Sequence, residues 1–140
     1  HAGRAAALLV HELGMGINVY GPQSKPLTDF GYGLPDCEVI NYWDDNPPLT
    51  VSDPDCKWLL LKRDGKFMLT LCTWNAEPET ITVALDPERL DMTPETAQVI
   101  ELVKTGRREF KGEPGEILEV ENNQFQLDLE GYGYRFIRIE

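Results

Sequence analysis

Apolar positions along the chain follow two distinct patterns, and each predicts a different element. In residues 57–75 two apolar runs, Trp58-Leu59-Leu60-Leu61 and Phe67-Met68-Leu69-Thr70-Leu71-Cys72, meet at Asp64-Gly65. Asp-Gly accepts the positive φ of a type I′ turn, so the runs form a tight hairpin. The turn fixes the register: Lys62 faces Phe67, Leu60 faces Leu69 and Trp58 faces Leu71. One face then holds Trp58, Leu60, Phe67, Leu69 and Leu71, and the other Leu59, Leu61, Met68, Cys72 and Trp74. A hairpin apolar on both faces is covered on both sides, so Trp58 and Trp74 are expected to be core residues.

Strict alternation marks the second pattern. In Thr80 to Leu85, Ile81, Val83 and Leu85 share one side while Thr80, Thr82 and Ala84 share the other. Leu118, Val120, Phe125, Leu127 and Leu129 likewise share a face, with Asn122-Asn123 between two runs, which predicts a second hairpin over Glu116–Glu121 and Gln124–Leu129. Asp86-Pro87 reads as an N-cap and first residue of a short helix. Ala97 to Val103 and Tyr132 to Ile139 complete seven strands after Val51, with an eighth near Glu109 to Lys111. The expected fold class is mainly β, an antiparallel β-sandwich of about seven to eight strands.

The first third differs. Arg4 to Leu13 reads as a short helix that ends at Gly14 and Gly16. Residues 14–37 then carry eight Gly and Pro residues without periodicity. Such a stretch is uncommon inside a compact domain and reads as a linker or as a loop packed on something else. Cys37 to Trp43 reads as extended and stops at Asp44-Asp45-Asn46-Pro47-Pro48. The expected division is residues 1–48, the end of an upstream domain, and residues 49–140, a C-terminal sandwich domain.

Charge narrows the partners. With 13 Lys and Arg against 24 Asp and Glu, the formal net charge of −11 argues against nucleic acid and against an anionic membrane surface. A neutral ligand such as a sugar is indifferent to it. Cys37, Cys56 and Cys72 form no C-x-x-C pair, so no disulfide framework or zinc site is implied, and a reducing compartment such as the cytoplasm is favoured. No metal or cofactor is expected. His11, late in a short helix, is read as a helix-end residue. Asp44-Asp45 and Asp53-Pro54-Asp55 are read as turn formers rather than as paired catalytic carboxylates. Exposed aromatic rings suit the apolar C–H faces of sugars. Tyr20, Tyr32, Tyr42 and Trp43 are the candidates for carbohydrate binding, the other reading being that these rings join one domain to another.

The segment Trp58 to Leu85, with Trp74-Asn75, resembles the C-terminal β-sandwich that follows the (β/α)₈ barrel in many bacterial glycoside hydrolases, alpha-galactosidase-like or of a related group. Gly131-Tyr132-Gly133-Tyr134-Arg135-Phe136-Ile137-Arg138-Ile139 is similar to the closing strand of those domains. Gly3 to Gly16 resembles the last helix of a barrel, and Val39 to Trp43 the bridge out of it. The resemblance implies a non-catalytic accessory domain whose partner is an upstream catalytic domain of the same protein. A free-standing carbohydrate-binding module and a small independent hydrolase are the alternatives. In such enzymes the catalytic carboxylates belong to the barrel, so none is carried over to this chain.

Overall fold

The structure, a computed structural model, describes residues 24–140. The helix expected over residues 4–13, His11 and Tyr20 lie outside the described residues. Among the described residues nine strands form two antiparallel sheets. The larger sheet joins β1 (Glu38–Asn41), β3 (Cys56–Arg63), β4 (Lys66–Thr73), β9 (Tyr134–Ile139), β6 (Ala97–Lys104) and β7 (Phe110–Leu118), in that order. The smaller joins β2 (Leu49–Val51), β5 (Glu79–Leu85) and β8 (Gln124–Leu129). The described residues also hold two short helices, α1 (Lys25–Phe30) and α2 (Pro87–Leu90).

The central hairpin has the register set by its turn: Lys62 pairs Phe67, Leu60 pairs Leu69 and Trp58 pairs Leu71. Asp64 and Gly65 take φ of 52° and 71°, as a type I′ turn requires. Trp58, Leu60, Phe67, Leu69 and Leu71 join Val99, Ile137 and Ile139 to form the inner face of the larger sheet. Opposite them stand Ile81, Val83 and Leu85 of β5 and Phe125, Leu127 and Leu129 of β8. A fully buried side chain of this size contributes roughly 1.5–3 kcal/mol, so this interlayer core holds the sheets together.

The outer face of the same hairpin carries a second core. Leu59, Leu61, Met68 and Cys72 pack with Leu27 of α1 and Phe136 of β9. Pro26 stands in the first turn of α1, and the amides of Gly31 and Tyr32 close it on the Leu27 carbonyl. β1 pairs β3 at four positions, so residues 38–41 belong to the larger sheet. Asp86 caps α2 as expected, its carboxylate accepting from the amides of Glu88 and Arg89 at 3.1 and 3.3 Å.

Three expectations change. The second hairpin is a turn between sheets. Asn122 and Asn123 do take positive φ, but beyond the single bridge Glu121–Gln124 the strands part. β7 pairs β6 in the larger sheet and β8 pairs β5 in the smaller. Leu118 and Phe125 still face one core because that core lies between the layers. β7 also absorbs the separate strand expected near Glu109–Lys111. Pro114 is tolerated there because β7 is an edge strand. Trp74, expected in the core, lies one residue past β4 and is 36% exposed. Trp58 is buried as expected.

Candidate functional site

The topology brings several loops to one end of the sandwich. β1 and β4 end there, and β3 and β9 begin there, because each is antiparallel to its neighbour. β1, β3, β4 and β9 are consecutive in the larger sheet, and strands lie about 4.8 Å apart, so their ends span roughly 15 Å. Three exposed aromatic side chains follow that rim: Trp43 after β1, Trp74 after β4 and Tyr132 before β9, at 52%, 36% and 51% exposure.

Each is positioned by its own loop. The Tyr42 ring packs on the interlayer core and meets Trp43 edge to face, with centroids 4.9 Å apart. Lys57 places its ammonium 5.2 Å from the Tyr42 centroid and donates to the Pro54 carbonyl at 2.6 Å. The Trp74 amide donates to the Asp55 carbonyl. Beside it, Asn75 Nδ2 donates to Asp53 Oδ2 at 2.7 Å and to Glu79 Oε1 at 3.1 Å. Buried Thr73 donates to the same Glu79 oxygen at 2.7 Å and accepts from the Asn75 amide. These bonds lock the loops 52–55 and 74–78 together. Asp53's hydrogen bond with the Glu79 carboxyl, and then the Asp55 amide, hold the Asp53 carboxyl below the usual carboxylate range.

Tyr132 is held more unusually. Its amide donates to the Asn75 carbonyl at 2.8 Å, and its φ is +54°, a left-handed conformation uncommon for a bulky residue. The preceding Gly131 lies so close to the β4–β5 loop that a Cβ there would sit 1.9 Å from the Ala76 carbonyl oxygen. Trp74-Asn75 and Tyr132 are therefore presented by two loops fixed against each other.

The structure brings Tyr42 and Trp43 together and puts Tyr32 elsewhere. Tyr32 packs against the second core, on the opposite face of the larger sheet. Trp74 and Tyr132 are rim residues that sequence reasoning missed. Their signals were positional: Trp74 directly precedes the Asn75-Ala76-Glu77-Pro78 turn, and Tyr132 stands between two glycines. Asp44 caps a turn by accepting from the Asn41 amide at 2.9 Å, and Asp53 accepts from the Asp55 amide at 2.8 Å. Among the described residues no group of three His, Cys, Asp or Glu could hold a metal ion. No helix among them is long and apolar enough to cross a membrane.

The family profile described as glycoside hydrolase 123, C-terminal domain, matches residues 27–127, from Leu27 of α1 to Leu127 of β8. The chain belongs to this family. The resemblance read from Trp58 to Leu85 thus falls on the C-terminal domain of a glycoside-hydrolase-like protein, and family 123 names the group. No curated protein matches the chain. Solved structures similar to this family 123 domain include a GH30 endoxylanase from Clostridium papyrosolvens C71, with 10% identity and a TM-score of 0.47 over 64% of this chain and 21% of that one. A family 44 endoglucanase from Clostridium acetobutylicum ATCC 824 has 10% identity and a TM-score of 0.47, over 63% of this chain and 17% of that one. A GH27 β-L-arabinopyranosidase from Geobacillus stearothermophilus has 12% identity and a TM-score of 0.40, over 63% and 18%. The chain spans about a fifth of the length of these structures.

Proposed function

We propose that this domain is a non-catalytic accessory part of a glycoside hydrolase and braces the catalytic domain of the same protein. Residues 1–48 would lead from that domain and residues 49–140 would form the sandwich, with α1 and β1 anchoring the leading segment to the larger sheet. Membership of a family described as a C-terminal domain carries this reading. The outer face supports it. Beside α1 an open groove of about 390 Å³ is lined by the apolar Phe30, Met68 and Ile100 and by charged side chains, among them Arg63, Lys66 and Arg138. A mixture of apolar and charged side chains is the composition of a domain–domain contact. The carboxylates speak against independent catalysis. Asp53 and Glu79 converge, but both accept from the one Asn75 amide group, whereas glycoside hydrolysis needs its pair facing across a sugar.

Calorimetry of the full-length enzyme tests the reading. Wild type is expected to unfold in one coupled transition, and Phe30→Glu to split it and lower the catalytic domain's Tm. Two independent transitions in wild type, unmoved by Phe30→Glu, would overturn the bracing role.

A further inference from the structure

We infer that the rim of Trp43, Trp74 and Tyr132 is a binding platform for a neutral oligosaccharide. The inference goes beyond bracing, because the rim lies at the strand ends while the described chain enters through α1 on the outer face of the larger sheet. Three observations select this occupant. First, three large rings from three loops stand exposed along four consecutive strand ends. Aromatic rings offer flat apolar area that matches the C–H face of a pyranose. Second, the surface around them carries exposed carboxylates, Asp55, Glu77 and Glu130, in a chain of net charge −11. Carboxylates accept hydrogen bonds from sugar hydroxyls, and the same charge repels nucleic acid and acidic polysaccharides. Third, Tyr132 is held at φ +54°, in the left-handed region that L-residues other than Asn and Asp rarely adopt. Glycine would adopt that angle freely, yet the position holds a half-exposed tyrosine. Backbone strain that presents a side chain to solvent points to a role for that side chain.

Rigidity favours binding as well. Asn75 ties the Trp74 loop to Asp53 and Glu79, and its carbonyl accepts the Tyr132 amide, so these rings need little ordering when a ligand arrives. The role inferred for the platform is binding without cleavage.

The test is affinity gel electrophoresis of the full chain in gels containing hydroxyethyl cellulose, xylan, galactomannan or arabinogalactan. Specific retardation is expected in at least one. Trp43→Ala and Trp74→Ala are expected to weaken it at least tenfold, about 1.4 kcal/mol, while Ile117→Ala, exposed on β7, leaves it unchanged. Tyr132→Gly is the deciding variant: it removes the ring and fits the backbone, so binding falls while the melting temperature holds or rises. No retardation of the folded chain in any gel overturns the proposal, as does retardation that all three rim variants preserve. If the rings are instead covered by a second copy, sedimentation shows a concentration-dependent dimer that Trp43→Ala dissolves. If they are covered by the catalytic domain, iodide quenches tryptophan emission in the isolated chain and not in the full-length enzyme. Either result assigns the rim to a protein contact and refutes the sugar. These readouts are separate from the coupled unfolding that tests bracing.

Discussion

Leu27→Ala measures whether the outer face of the larger sheet is a true second core. Leu27 is fully buried, and it packs with Leu59, Leu61, Met68 and Phe136. The substitution removes three carbons, worth about 0.8 kcal/mol each in transfer, and leaves a cavity whose cost adds to that. A loss of about 3 kcal/mol is expected. Helix propensity works in the opposite direction, since alanine is the better helix former by a few tenths of a kcal/mol. A six-residue helix has little stability of its own, so packing must hold α1 in place. Urea unfolding followed by tryptophan fluorescence reads the loss as a lower midpoint at unchanged slope. In a thermal melt it corresponds to roughly 12 °C, at about 4 °C per kcal/mol. Hydrogen exchange gives a local readout. The Gly31 and Tyr32 amides, which donate to the Leu27 carbonyl at 3.2 and 3.0 Å, should exchange faster than amides of β4 and β9. A loss below about 1 kcal/mol would refute the reasoning, since α1 would then cover the sheet without stabilising it.

Gly131→Ala should destabilise the chain by about 2 kcal/mol or more, because its Cβ would meet the Ala76 carbonyl oxygen at 1.9 Å; a melting temperature equal to wild type would contradict the packing of these loops. Burial pushes the thiols of Cys56 and Cys72 up to about 12, and at neutral pH only Cys37 should react with iodoacetamide before unfolding, as read by mass spectrometry. Both values are raised from 9.0, so the stability tied to the neutral thiols is present below pH 9.0 and is lost as pH rises towards about 12. Cys56 belongs to the interlayer core and Cys72 to the outer one, so an oxidant should not join them; a Cys56–Cys72 disulfide in the native chain would refute the register. The Asp53 carboxyl is held below its ordinary 3.8, so its contribution is present above that pH and is lost as pH falls through the folded value. Asp53→Asn should therefore flatten the acid limb of stability against pH, and an acid limb as steep as that of wild type would rule out this role.

Local chemistry determined much of this domain. Asp64-Gly65 admits one tight turn, and with side chains alternating every second residue that turn fixes all eight pairs between β3 and β4. The same logic made Ile81, Val83 and Leu85 face inward and made Asp86 a cap. The resemblance to a hydrolase C-terminal domain was legible too, because it rests on these strands. Sheet membership was not legible. Asn122-Asn123 signals a turn whether the strands it joins pair with each other or cross between layers, and the choice depends on β7 pairing its sequence neighbour β6 while β8 pairs the distant β5. The site shows the same division. An aromatic side chain in a loop carries no local mark of the face it will join, and Tyr32 and Tyr42, ten positions apart, pack on opposite sides of the larger sheet. Trp74 continues an apolar strand pattern, yet the strand stops at Thr73, where Glu79 takes its hydroxyl and Asn75 its lone pair. Tyr132 joins the rim only because β9 lies beside β4. Turns and strand faces are set by neighbours in sequence, so the chain alone determined them; which loops share an end is set by long-range pairing, which only the tertiary structure decided.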